Sequence, residues 1–273
     1  QLLQKVRWLY KAAKAGHTGA LDPLASGMLP LCLGEATKFS QFLLDAEKTY
    51  EVTAQLGVRT TTSDADGEVV EEKPVDVSEE QVRDACLAFL GKSKQIPSMF
   101  SALKHQGKPL YHYARQGIEI EREPRDIEVY ELDVLRIELP FVEMRIKCSK
   151  GTYIRTLVED LGLKLNIFSY TQHLRRTKIG FFEENQMTSL EKLKNSVNNN
   201  DYLISMDSML SHMKLLTISD DDELKIRNGQ SIYCDSDVQN TEIRIQNNHK
   251  NLIGIGFIKN NCISPKRLVN FKQ

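Results

Sequence analysis

The chain has 273 residues, a formal net charge of −1, 41% hydrophobic and 27% charged side chains, enough to bury a full core and to fill two domains. That balance excludes a disordered or fibrous protein, and no apolar run approaches the roughly 20 residues needed to span a bilayer. With no signal peptide visible, the sequence points to the cytoplasm.

Five scattered cysteines, Cys32, Cys86, Cys148, Cys234 and Cys262, show neither zinc nor disulfide spacing and read as buried thiols. The near-zero net charge does not advertise a nucleic-acid binder, but it averages over local excesses. Residues 92–125 carry Lys92, Lys94, Lys104, Lys108, Arg115, Arg122 and Arg125 against Glu119, Glu121 and Glu123. Residues 145–178 repeat the pattern, and two basic regions on an otherwise acidic chain suit local neutralisation of phosphates.

Leu2, Val6 and Leu9 recur at helical spacing before Gly16 and predict an opening helix. The stretch Lys14–Lys38, KAGHTGALDPLASGMLPLCLGEATK, then dominates the chain. Four glycines and two prolines make it a loop rather than a core element, and Asp22 is its only acid before Glu35. Pro23 biases Asp22 toward an extended backbone, while Leu21, Leu24, Met28, Leu29 and Leu31 would pin the loop to a core. An isolated Asp-Pro is more often an Asx-type turn, so the local pattern alone makes Asp22 a candidate and no more.

Tyr50, Val52, Ala54, Leu56 and Val58 alternate with polar residues as a half-buried strand. Arg59–Val69 reads as a polar loop, and its Asp64 and Asp66 lack the twelfth-position Glu of a calcium loop. Ser78 and Gln81 make a capping box for a helix with Val82, Ala85, Cys86 and Phe89 on one face, ended by Gly91. Residues 96–125 interleave aromatic with basic side chains, as suits stacking on bases while gripping phosphates, although a plain hairpin with a helix fits equally well.

Val142, Met144, Ile146 and Cys148 form one face of a strand, Ser149–Gly151 turns the chain, and Ile154–Leu161 continues as a helix ended by Gly162. Arg155 falls in the first turn of that helix, where the macrodipole disfavours a cation, so it calls for an acidic partner. An Asn-rich tract at 195–201 reads as an exposed loop, and a short strand-rich segment follows, with Ile243, Ile245 and the run LIGIGFIKN.

The string GHTGALDPLASGMLP closely resembles the catalytic motif of the TruB family of bacterial tRNA pseudouridine-55 synthases, and GEATK, KTYEV, TSDADGEVV, IPSMFSALK, YARQGIE and CSKGTYIRT resemble the same family in the same order. The resemblance implies an α+β fold: a catalytic domain at 1–209, built on a mixed, mainly antiparallel sheet flanked by helices, and a small PUA-like RNA-binding β-barrel at 210–273. It implies isomerisation of a tRNA T-loop uridine without a cofactor or metal, with Asp22 as nucleophile, held ionised by Arg155. Tyr50 would stack on the base and help move the C5 proton, with Tyr153 and Leu174 beside it in the pocket. His17 would be associated with the flipped-out loop. Residues 96–125 would be an RNA-clamping insertion, with Lys104, Lys108 and Arg115 on the RNA.

The same resemblance leaves two other readings open, a tRNA-folding chaperone with secondary or lost catalysis and a guide-dependent, dyskerin-type synthase. Nothing in the sequence demands a protein partner or more than a monomer. TruB-type proteins normally begin with a further segment containing Lys-Pro-x-Gly that packs near the active site, and by that resemblance this sequence lacks it.

Overall fold

The structure is a computed structural model and describes residues 2–270. In chain order, α1 (Leu2–Leu9), β1 (Ala15–His17), β2 (Ser26–Gly27), β3 (Leu31–Leu33) and α2 (Ser40–Asp45) lead into β4 (Lys48–Leu56), β5 (Val58–Thr60) and β6 (Val69–Glu72). Next come α3 (Glu79–Leu87), β7 (Gly91–Gln95), β8 (Lys104–His105), β9 (Lys108–Pro109), α4 (Leu110–Ala114), β10 (Arg125–Glu138), β11 (Phe141–Cys148), α5 (Ile154–Lys164) and β12 (Ser169–Ile179). The chain continues through α6 (Leu190–Lys194), β13 (Leu215–Ile218), α7 (Asp220–Arg227), β14 (Ile232–Tyr233), β15 (Thr241–Asn247), β16 (Leu252–Lys259) and β17 (Cys262–Leu268).

Two compact units result, and they are not successive segments. One gathers the residues up to Thr18, Leu31–Leu43 and those from Thr188 onward; the other holds Gly19–Pro30 and Leu44–Met187. β1 and β3 pair with each other and cluster with the C-terminal part. Lys14–Lys38 is therefore more ordered than a loop, holding three short strands and a 3-10 turn from Gly34 to Phe39.

The larger unit is built on a six-stranded sheet in the order β2-β12-β4-β11-β10-β7, mainly antiparallel, with β2 alone parallel to its neighbour. Alternation buries Val52, Ala54 and Leu56 of β4 and Val142, Met144, Ile146 and Cys148 of β11 in one core. On β10 the buried set is Ile127, Val129 and Leu132, a break in period that a bulge between Val129 and Glu131 absorbs. Helix α5 covers this face with Ile154, Leu157, Val158 and Leu161, and α3 adds Val82 and Cys86. The other face is polar and carries pairs such as Arg145 to Glu51 at 2.8 Å.

Several local expectations need correction. The strand from Tyr50 stops at Leu56, because Gly57 takes φ +85 and sends Val58 into a separate hairpin with β6. The capping box at Ser78 and Gln81 is present, but α3 ends at Leu87, so Phe89 lies beyond it. Gly162 does not end α5; it lies inside the helix, where a Cβ would come within 2.6 Å of the Phe168 carbonyl carbon and the Ser169 nitrogen. Its place is dictated by close packing of helix on strand, not by a turn. Of the cysteines, Cys32, Cys86 and Cys148 are buried, whereas Cys234 is half-buried and Cys262 exposed. Burial pushes the Cys148 thiol up to about 12.

In the other unit, a five-stranded sheet in the order β13-β15-β16-β17-β14 curls around Ile226, Ile243, Ile245, Ile253, Ile258 and Ile263. No helix among the described residues is long and apolar enough to cross a membrane.

Candidate active site

Pro23 sits second in a β-turn closed by a hydrogen bond from the Ala25 amide to the Asp22 carbonyl at 2.9 Å. The turn is made by backbone, which leaves the Asp22 carboxylate available for something else. It meets Arg155: Nε donates to Oδ2 at 2.8 Å and Nη2 to Oδ1 at 3.0 Å, a bidentate fork. The Arg155 side chain is only 3% exposed, whereas that of Asp22 is 33% exposed, so the carboxylate is anchored from behind and open in front.

The rest of the guanidinium is also engaged. Nη1 donates to the Thr62 carbonyl at 3.0 Å and Nη2 to the Phe100 carbonyl at 2.9 Å. Nη1 also faces Asp64 Oδ2 at 3.4 Å. Asp64 is itself buried, its carboxylate taking the Thr62 hydroxyl and the Asp66 amide, and its backbone bridging to Thr171 of β12. One arginine thus ties together three stretches far apart in sequence: the Asp22 turn, the β5–β6 hairpin and the root of the 96–125 insertion. A cation in the first turn of α5 is tolerated because two carboxylates outweigh the unfavourable helix terminus.

Asp64 is the site residue that sequence reasoning misses. In the sequence it belongs to a polar loop without the acids of a calcium site, and its real signal, an Asp inside a polar hairpin loop and an Arg in want of acids, gains meaning once β5 and β12 are side by side.

Tyr50 and Leu174 lie on the core-facing side of neighbouring strands. Leu174 pairs with Val52 and is 7% exposed, while Tyr50 is half-buried and pairs with Arg176. Burial raises the Tyr50 phenol above its ordinary pKa, and Arg176 opposes that rise. Tyr153 is the N-cap of α5, two residues before Arg155, and its backbone is gripped by the buried Gln95 side chain on both sides: its amide donates to Oε1 at 2.8 Å and its carbonyl accepts from Nε2 at 3.1 Å. Burial also raises the Tyr153 phenol, with Ser101 pulling the other way. Gln95 pairs with Arg125 where the insertion leaves and rejoins the sheet, so the insertion's base is bolted to the start of the helix that carries Arg155.

His17 is exposed at the end of β1 and belongs to the other compact unit. Lys104, Lys108 and Arg115 are all exposed on the insertion, a small hairpin of β8 and β9 followed by α4, with Arg115 lying 5.4 Å over the Tyr111 ring. Residues 96–125 therefore include a small hairpin and helix with Lys104, Lys108, Tyr111 and Arg115 exposed.

The site thus joins a half-buried Asp22 to a buried Arg155, with Tyr50 on the sheet and Tyr153 at the N-cap of α5. Solved structures agree on the fold. The protein in "Crystal Structure of a Cbf5-Nop10-Gar1 Complex" superposes with a TM-score of 0.74 at 23% identity over 98% of this chain and 80% of that one. That in "Structure of H/ACA RNP bound to a substrate RNA containing 2'-deoxyuridine" gives 0.73 at 21% identity, with the same coverage.

Sequence relatives are nearer. The family described as "TruB family pseudouridylate synthase (N terminal domain)" matches residues 7–154, "tRNA pseudouridylate synthase B C-terminal domain" 155–214, and "Pseudouridine synthase II TruB, C-terminal" 216–269. The proteins named tRNA pseudouridine synthase B from Colwellia psychrerythraea and Mannheimia succiniciproducens are each 47% identical, covering 99% and 98% of this chain and 91% of their own length. The chain belongs to the TruB family of pseudouridine synthases.

Proposed function

We propose that this chain isomerises a tRNA uridine, that at position 55 of the T-loop, to pseudouridine, and that Asp22 is the carboxylate that reacts. The single observation carrying the assignment of Asp22 is its bidentate pairing with a guanidinium that is itself locked by two backbone carbonyls and Asp64. Such a partner keeps a carboxylate aimed, as a nucleophile or base requires.

The reaction breaks the N1 glycosidic bond, turns the uracil and rejoins it to the sugar through C5. The base must leave its stack first, at a cost of a few kcal/mol. Asp22 then acts on the sugar or on the base, while Tyr50, Tyr153 and Leu174 enclose the extruded uracil. His17 supports the RNA loop that the base vacates, and Lys104, Lys108 and Arg115 hold RNA phosphates. Residues 1–209 serve as the catalytic domain, 210–273 as a PUA-like RNA-binding domain, and the protein works in the cytoplasm as a monomer, without a cofactor. The names of the 47%-identical relatives support a tRNA substrate, and the basic insertion supports a synthase that works without a guide RNA.

Release of tritium from C5-labelled uridine in a T-arm stem-loop tests this reading. Release by the parent and its loss in Asp22→Asn, with stem-loop binding retained, is expected. Release by both would remove Asp22 from the chemistry. Binding without release by the parent would favour an RNA-folding role instead.

A further inference from the structure

Arg176 is a second buried guanidinium on the same sheet face, and the function proposed above gives it no task. It is 2% exposed. Its Nε donates to the Met28 carbonyl at 2.8 Å and its Nη1 to the Ala20 carbonyl at 3.3 Å, while its own carbonyl accepts the Met28 amide at 2.7 Å. Both ends of the Asp22 segment are thereby tied to one residue. Gly27 lies so close that a Cβ there would sit 2.2 Å from the Arg176 carbonyl oxygen, and its φ of +98 is itself one that side chains disfavour.

Nη2 differs from the other two nitrogens. It is buried and has no hydrogen-bond partner among the described residues, a costly state for a charged donor. The register shows what lies beside it. Arg176 is directly opposite Tyr50 across β12 and β4, so the two side chains leave the sheet on the same side.

We propose that Arg176 is a positioning residue for Tyr50: with the Asp22 segment held by two of its nitrogens, the third faces the Tyr50 hydroxyl and stabilises the phenolate that removes the C5 proton. The inference rests on the isomerisation reading above. Once uracil has rejoined the sugar through C5, that carbon bears both C1′ and a hydrogen. The Tyr50 phenolate takes the proton, the C–H electron pair becomes the C5–C6 double bond, and the N1–C6 π pair moves onto N1, which takes a proton from water. Tyr50 leaves as a phenol and returns its proton to solvent, so no oxidant or reductant is needed.

The groups facing the Tyr50 hydroxyl support this role. Burial raises its pKa most, Cys148 on β11 and Asp22 on its turn raise it further, and Arg176 lowers it.

The test uses the full chain with tyrosines labelled with carbon-13 at Cζ and Tyr50 assigned through Tyr50→Phe. Arg176→Gln is expected to move the Tyr50 ionisation up by roughly 1 to 3 pH units, and Arg176→Lys to keep most of the parent value. Gly27→Ala, which displaces the Asp22 segment but keeps the guanidinium, should leave that ionisation in place. In single-turnover tritium release near neutral pH, Arg176→Gln should lose roughly tenfold to a hundredfold and regain rate as pH rises, because the phenolate fraction follows the shifted ionisation. Gly27→Ala should lose rate equally at every pH. An unmoved Tyr50 ionisation in Arg176→Gln, or a pH-independent loss matching that of Gly27→Ala, would overturn the inference and leave Arg176 as a pin for the segment. If Arg176→Gln does not fold, Arg176→Lys decides: an ionisation as high as burial alone would set overturns it. The titration needs no turnover, so a parent that releases no label is recognised separately, as a failure of the isomerase reading.

Discussion

Charged side chains gather in two opposite ways in this protein. Around Asp22, two carboxylates and one buried guanidinium are locked into a single geometry in which Arg155 also holds two backbone carbonyls. On the 96–125 insertion, Lys104, Lys108 and Arg115 stand in solvent, and what pairing exists is local, as between Arg122 and Glu119 at 3.2 Å. Buried charges fix a shape before substrate arrives, whereas exposed ones keep their attraction for a polyanion uncommitted. The seam between them is narrow. Gln95 and Phe100, at the insertion's root, touch the backbone of Tyr153 and the side chain of Arg155 at the N-terminal end of α5.

The contrast breaks most visibly at Arg155. Arg155→Met leaves two carboxylates facing each other with one of them buried, and should cost about 3 to 5 kcal/mol in denaturant unfolding. A loss below about 1 kcal/mol would mean that the network is wetter and looser than its geometry implies. Behind it, Gly162→Ala pushes α5 off β12 at the Phe168–Ser169 backbone. A stability loss of about 1 to 3 kcal/mol is expected, together with a drop in tritium release, because Arg155 rides on that helix.

An intermediate case lies in the other compact unit. Glu35 is partly exposed yet bonded to Lys38, the Asn270 amide and Lys14, and chiefly the Lys38 bond holds its carboxyl down at about 2. A depressed carboxylate stabilises the fold above its unfolded pKa, and that contribution disappears as pH falls from about 4.5 toward 2. Acid unfolding of Glu35→Gln should therefore be flatter than the parent's across that window, by less than about 1 kcal/mol after allowance for solvent screening.

The smallest stability effect belongs to the insertion. Replacing Lys104, Lys108 and Arg115 together by Ala should change unfolding free energy by less than about 0.5 kcal/mol for each residue. Stem-loop binding should weaken, and its dependence on log salt should become shallower by roughly 0.7 to 0.9 for each phosphate that is no longer neutralised. An unchanged salt slope would mean that these three cations do not meet the backbone of the RNA.

Much of this architecture is legible in one dimension. The period of two in β4 and β11, the capping box at Ser78, the first-turn position of Arg155 and the turn chemistry around Asp22 are all local, because backbone sterics and side-chain alternation act between near neighbours. The demand that Arg155 find an acid follows from the helix terminus alone. The identity of its first partner comes from resemblance, and that of its second, Asp64, from neither. Which residues share a site depends on strand order, and the order β2-β12-β4-β11-β10-β7 brings positions more than a hundred residues apart into contact. Only that arrangement decides that Gly162 serves packing instead of ending a helix, that Lys14–Lys38 splits between two compact units, and that Arg176 stands opposite Tyr50. The physical reason is the range of the forces involved: propensity and capping are written in adjacent residues, while close approach and buried charge exist only where the fold removes water between distant ones.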